Sequence, residues 1–360
     1  MCCERNDYAF VPDYNNILDA ALNRKPKTLP IYEHFISPFV MEKILGVKFA
    51  DYEQGDQDDL DVFFVHYCQF FKEMTYDTVS YEVCVTSILP DGGALYGGKQ
   101  GPIQTRKDFE QYPWEELPGI YWTLAESRFD ALAKNMPNGM KAIGGVGNGV
   151  FEISEDLVGL EHLAYMQVDD PELFNDLYVK IGDLMCQIWL QFLERYADFF
   201  VVCRFGDDLG FRSGTLTSPS VIRKNIVPQY ERVIQLIKSY NKPFLWHSCG
   251  CIFEIMDEMV SLGINAKHSN EDTIAPFDKW IELYGDKIGL FGGIDVDLLC
   301  TRKPDEIIEI VFEDGKRFRH TAKGFALGSG NSIPDYVPIE SYLAMIEGAK
   351  KIRCQYRNGV

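Results

Sequence analysis

Short apolar runs alternate with longer amphipathic stretches along most of this chain. Eight runs read as strands: Leu29–Glu33, Thr78–Val83, Ala142–Val146, Phe199–Arg204, Pro243–His247, Ile264–Lys267, Ile288–Phe291 and Gly324–Leu327. The stretches between them read as helices. Ser218-Pro219 is a start signal, with serine positioned to cap and proline at the first helical position. From there Ile222, Ile226, Tyr230, Val233 and Ile237 fall on one face at helical spacing, and Pro228 is expected to kink that helix. Asp305 to Arg317 and Pro338 to Arg353 also read as helices. Strand–helix alternation repeated eight times predicts a parallel sheet closed into a (β/α)₈ TIM barrel, with 1–360 a single domain. Tyr14 to Leu22 reads as helical, within an N-terminal extension (1–25) that would close the barrel bottom. The connection from Val83 to Ala142 is too long for a simple crossover and is expected to be an insertion after strand two, able to act as a lid. Gly144-Gly-Val-Gly-Asn-Gly149 lacks the Lys-Ser/Thr of a phosphate loop and reads as a loop needing unusual backbone angles.

Barrel enzymes carry their chemistry at the C-terminal strand ends. That rule selects Glu33 and His34, Glu82, Asp207 and Asp208, His247 and Cys249, His268 and Glu271, Asp295, and Ser329, Asn331 and Ser332. The densest segment is Pro243-Phe-Leu-Trp-His-Ser-Cys-Gly-Cys251, where an apolar run stops at an imidazole and a thiol follows after one serine. Those are the two ligand types zinc prefers. Cys251 reads as facing away, and His268 reads as structural. Asp207 or Asp208 could cap a turn as readily as react, and Asp295 could hold its loop through backbone amides.

Composition bounds the partners. Of 360 residues 46% are apolar, enough for a large core, and the formal net charge is −19. Such a charge repels phosphate backbones and anionic lipid, so neither nucleic acid nor membrane is an expected partner. The opening Met1-Cys-Cys-Glu-Arg-Asn-Asp7 is polar, so no secretory leader is expected, and no apolar run reaches membrane-spanning length. Ten cysteines lie without small-domain spacing. Cys2, Cys3, Cys68, Cys84, Cys186, Cys203, Cys300 and Cys354 read as reduced thiols of a cytoplasmic protein.

From Asn16 to Ile352 the chain resembles the uroporphyrinogen decarboxylase superfamily, which includes zinc-dependent methyltransferases acting on methylcobamide. The resemblance rests on Leu22-Asn-Arg-Lys-Pro26, Leu29-Pro-Ile31, Gly206-Asp-Asp-Leu-Gly210, Ser218-Pro219, Pro228, His247-Ser-Cys-Gly250, Tyr284-Gly-Asp286, Gly292-Gly-Ile-Asp295 and Ser329-Gly-Asn-Ser-Ile-Pro334. It implies a (β/α)₈ barrel with its site at the C-terminal mouth. The decarboxylases grip a polycarboxylate through an Arg-Gln-Ala-Gly-Arg segment after strand one. Here Tyr32-Glu-His-Phe-Ile36 stands there, with no arginine.

The methyltransferase branch implies a His-x-Cys zinc pair after strand five, matched by His247 and Cys249, and a third cysteine after strand eight, where this chain has Ser329. Glu82 or Glu33 would supply the missing ligand. Zinc so held lowers a thiol pKa or polarises a methoxy oxygen. The expected function is methyl transfer between a small methylated substrate or thiol and a corrinoid carried by a separate protein. Asp207, Asp208 and His34 would be the catalytic groups; Glu33, Glu82, Asp295, Ser329 and Asn331 would line the substrate site. Family members are often dimers, which makes a homodimer an expectation. The alternative is a metal-free decarboxylase of a porphyrinogen or other small acid, with Asp77 or Asp207 stabilising a protonated intermediate.

Overall fold

The computed structural model describes residues 10–357, so the expectations for Cys2, Cys3 and the opening residues lie outside it. Nine strands occur among the described residues: β1 Thr78–Cys84, β2 Lys141–Gly147, β3 Phe200–Gly206, β4 Gly210–Phe211, β5 Gly214–Thr215, β6 Phe244–His247, β7 Ala266–His268, β8 Gly289–Ile294 and β9 Phe325–Ser329. Seven coincide with expected strands. The eighth expectation, Leu29–Glu33, is corrected: that segment makes a single parallel bridge, Ile31 to Leu327. Pro30 confines it, because proline has no N–H to give a ladder. Its carbonyl still accepts from Leu327 N at 3.0 Å, and Tyr32 N donates to Leu327 O at 2.9 Å.

The chain divides into two compact units, Met1–Tyr81 with Asp130–Ile143 and Asn265–Val360, and Glu82–Phe129 with Gly144–Ile264. In the first unit β7, β8 and β9 run parallel, Ala266 pairing with Gly289 and Ile294 with Ser329. β8 and β9 are buried along their whole length. Unbroken apolar runs, rather than alternating ones, mark a parallel sheet covered on both faces. Helices Asn15–Ala21, Pro304–Thr321 and Ile339–Arg357 belong to this unit. The predicted helix at 14–22 is therefore present, capped without a side-chain bond.

In the second unit β3 and β6 run parallel, with Gly206 opposite His247. The helix Pro171–Tyr196 lays Trp189 against Phe192 at 5.3 Å, and Phe192 against Phe200 of β3 at 4.8 Å. The predicted Ser218 start is borne out: Ser218 Oγ accepts from Val221 N at 3.3 Å. The disturbance expected at Pro228 takes a definite form. A π-helical turn, Ile222–Ile226, precedes the regular helix Val227–Ser239. Proline has no N–H for the preceding turn, and a wider turn accommodates that loss. The five apolar side chains on the predicted face are all buried. The glycine-rich segment is corrected from loop to strand: β2 runs through Gly147, and Gly144 and Gly145 adopt φ of 136° and 123° within it. The insertion 85–140 carries the helices Arg106–Gln111 and Leu117–Lys134.

Candidate metal centre

β3 and β6 end side by side, and the chemistry of the second unit follows from that pairing. Asp207 N donates to the His247 carbonyl at 3.0 Å, which continues the ladder one residue beyond the strands. Asp207 and Asp208 then diverge. Asp207 has no exposed surface. It accepts from Phe151 N at 2.9 Å and Glu152 N at 2.8 Å, the first amides of the helix Val150–Val158, and from the hydroxyl of Tyr230. A carboxylate at a helix N-terminus satisfies orphan donors and the dipole together. Gly149 permits the approach, since a Cβ there would lie 2.2 Å from Asp207 Oδ2. Asp207 is thereby the foundation of that helix.

Asp208 turns the other way and is half-exposed. Its Oδ1 accepts from Cys249 N at 2.8 Å and lies 3.7 Å from His247 Nε2. His247 Nε2 is 3.4 Å from Cys249 Sγ. The ligand atoms of Asp208, His247 and Cys249 all lie within 4.8 Å of one another. Ligands on a tetrahedral zinc, at roughly 2.0–2.3 Å from the metal, stand about 3.3–3.8 Å apart. The observed nitrogen–sulfur and nitrogen–oxygen separations match that spacing. Imidazole, thiolate and carboxylate are all zinc donors. The donor set therefore fits the ion.

The loop bearing Cys249 is braced from the backbone. Gly250 has φ of 80°, a left-handed angle that glycine adopts without penalty. A Cβ on it would lie 2.2 Å from the carbonyl carbon of Gly210. Cys251 N donates to Phe211 O at 2.7 Å, tying the loop to the β4–β5 hairpin. The two sequence motifs of this unit, Gly206–Gly210 and His247–Gly250, thus interlock.

Glu82, expected as a zinc ligand, lies against the guanidinium of Arg204. Its Oε2 accepts from Arg204 Nε at 3.0 Å and Nη2 at 2.8 Å. A carboxylate that neutralises a buried guanidinium has little left for a cation. Asp208 is the carboxylate beside the imidazole and thiol. No motif singled out Glu152 and Glu155, which lie three apart on one helix beside the aspartates. Glu152 Oε1 accepts from Asp208 N at 3.3 Å, and Oε2 accepts from Asn148 at 2.7 Å. Burial, then the neighbouring Asp207 and Asp208, pushes the Glu152 carboxyl well up and that of Glu155 to about 8. Burial likewise raises Asp207 to about 7, against the pull of its hydrogen bonds. Crowded carboxyls of one sign cannot all ionise. A 430 Å³ hollow in this unit, walled by Phe151, Leu163, Phe174, Tyr178 and Leu216, contains none of the three ligand residues.

In the first unit Glu33 has no exposed surface and faces Ser329, whose N donates to Oε1 at 2.8 Å and whose Oγ–H donates to Oε2. Burial raises the Glu33 carboxyl to about 8. Ser329 is also fully buried, so the two residues expected to line the substrate site hold one another. His34 stacks on His268 at 5.9 Å, and His268 Nε2 meets the Ser329 carbonyl at 3.0 Å, the structural role expected for His268. Asp295 holds its loop through backbone amides, accepting from Asp297 N at 2.7 Å and Asp272 N at 2.6 Å. It nonetheless lines, with Asn331, a 210 Å³ recess. None of the eight cysteines among the described residues is in a disulfide. No helix among them is long and apolar enough to cross a membrane.

The uroporphyrinogen decarboxylase (URO-D) family model matches residues 100–352, and the chain belongs to that family. Among solved structures it is similar to a methyltransferase from Methanosarcina mazei, at 16% identity and a TM-score of 0.73, covering 93% of this chain and 97% of that one. At that identity the likeness establishes a shared α/β fold. A glycoside hydrolase family 5 enzyme from Prevotella bryantii B14 matches at 10% identity over 96% of this chain and 100% of that one, but its TM-score of 0.41 carries no argument. No curated protein matches the chain.

Proposed function

We propose that the chain is a methyltransferase of this family, moving a methyl group between a small methylated substrate or thiol and a corrinoid held by a separate partner protein. The observation that carries the reading is the convergence of His247 Nε2, Cys249 Sγ and Asp208 Oδ1. We take these three residues as the zinc ligands, with Asp208 in place of the third cysteine that Ser329 displaces. Bound zinc would lower a thiol pKa or polarise an oxygen at this site. The chain's own residues do the rest. Asp208 holds the Cys249 amide and so fixes the thiol beside the imidazole. Glu152 takes the Asp208 N–H and fixes the carboxylate in turn. His247 is 5% exposed, while Asp208 and Cys249 are half-exposed, so the ligands present an open side to an incoming group. The reading includes the finer architecture, a single-domain barrel.

The decarboxylase alternative finds less support. Asp77 accepts from Asp13 N at 2.9 Å and lies 3.8 Å from Arg353 Nη2, and Asp207 is committed to a helix. The test is metal content after incubation with zinc and desalting. The wild type should retain about one equivalent, and His247→Ala, Cys249→Ala and Asp208→Asn should lose it together with methyl transfer from methylcobalamin to a thiol. A wild type that retains no zinc, or carbon dioxide release from small acids that chelators leave untouched, overturns the reading.

A further inference from the structure

The turn that follows β2 serves both aspartates of the second unit. Gly149 lies against Asp207, and the residue before it, Asn148, reaches toward Asp208 through Glu152. Asn148 is 8% exposed and has φ of 66°, in the left-handed region. Glycine takes that angle without penalty, and glycine stands on either side, at 147 and 149. Asparagine tolerates the angle because its short side chain can bond locally. The backbone alone therefore gives no reason for a side chain at 148.

The side chain's partners supply one. Oδ1 of Asn148 accepts twice from Thr86, from N at 3.1 Å and from Oγ1 at 2.9 Å. Its Nδ2 donates to Glu152 Oε2 at 2.7 Å. Glu152 Oε1 accepts from Asp208 N at 3.3 Å, and Asp208 Oδ1 accepts from Cys249 N at 2.8 Å. An amide suits the middle of this series, since one end accepts while the other donates. Thr86 lies in the short helical turn Val85–Ile88, with which the insertion begins. Hydrogen bonds thus run without a break from the insertion to the loop that carries Cys249.

We infer that Asn148 is a positioning residue of the metal centre and couples it to the first turn of the insertion. The inference rests on the reading of Asp208, His247 and Cys249 as zinc ligands. Asn148 acts through Glu152, one of whose oxygens takes the Asn148 amide while the other takes the Asp208 N–H. Hydrogen-bond partners that orient metal ligands change metal affinity by roughly 10- to 100-fold when they are lost. Coupling of this kind is reciprocal. If the junction of Thr86 with Asn148 favours the bound ion, the bound ion favours that junction, and zinc steadies residues 85–88 from a distance.

The test measures the zinc affinity of the whole protein by competition with a chelator, alongside Tm. Asn148→Gly keeps the backbone angle, removes only the side chain, and should weaken zinc binding about tenfold. Thr86→Val keeps the shape, removes one donor, and should weaken it about threefold. The double variant should lose no more than Asn148→Gly alone, because Thr86 acts through Asn148. Zinc should also slow amide exchange at 85–88 in the wild type and fail to do so in Asn148→Gly. An asparagine that only shaped the turn would move Tm and leave zinc affinity where it is. A folded Asn148→Gly or Thr86→Val that binds zinc like the wild type, losses that add in the double variant, or exchange at 85–88 indifferent to zinc overturns the inference and leaves the zinc reading standing. Should Asn148→Gly fail to fold, Thr86→Val decides. A wild type that binds no zinc overturns both.

Discussion

Glu33 has no exposed surface, and both of its carboxyl oxygens face Ser329. Burial disfavours the charged form more than two hydrogen bonds favour it, so its pKa rises from 4.5 to about 8. A carboxyl whose pKa is higher folded than unfolded contributes stability that is complete below about 4.5 and lost as the pH climbs through about 8. Melting curves should therefore fall across that window, and Glu33→Gln, which cannot ionise, should fall less steeply. Arg204 is 1% exposed and leans on Glu82. Glu82→Ala should cost roughly 3 kcal/mol in chemical denaturation, because it strands a buried charge. At this scale the sequence was partly legible. His247 and Cys249 announced themselves as donor types at a strand end. The difference between Asp207 and Asp208 did not, because successive residues leaving a strand diverge and only the neighbouring helix decides which one it claims. Glu152 and Glu155 are ordinary polar residues in the sequence; burial alone gives them their meaning.

At the scale of elements, the centre depends on two close approaches that leave no room for a side chain. At Gly149, an added methyl would displace the Asp207 carboxylate from the helix it supports. Gly149→Ala should destabilise the protein by about 2 kcal/mol and loosen the 150–158 helix, seen as faster amide exchange there. Gly250→Ala meets both a left-handed backbone angle and the Gly210 backbone. It should cost about 2 kcal/mol or more and lower zinc retention, because it moves Cys249. Buried parallel strands are the elements best read from sequence: their apolar runs are continuous and bounded, and seven of the expected ones are strands. Leu29–Glu33 looked equally apolar, but Pro30 removes a donor and a single bridge remains. The π-turn before Pro228 could be placed from sequence only as a disturbance, since the choice between kink and wider turn depends on the face buried on both sides.

At the scale of the whole chain, the formal charge of −19 sets the behaviour in salt. Self-repulsion of so acidic a protein outweighs the attraction of its exposed ion pairs, which are worth little individually. Raising sodium chloride from about 0.02 M to about 0.3 M, which shortens the screening length several-fold, should raise Tm by a few degrees. A fall in Tm would mean that the ion pairs dominate. Composition could show the sign of the field, and the motifs could show the family. Neither could show that Glu152 and Glu155 crowd the two aspartates, because the segments that meet there are distant in sequence.

The β4–β5 hairpin grips the Cys249 loop through main-chain atoms: the Phe211 carbonyl takes the Cys251 amide, and the two glycine backbones press together. Amino acids at the hairpin tip can therefore drift freely over generations without disturbing the thiol. Insertions and deletions cannot, because one residue more or less would slide the grip out of register.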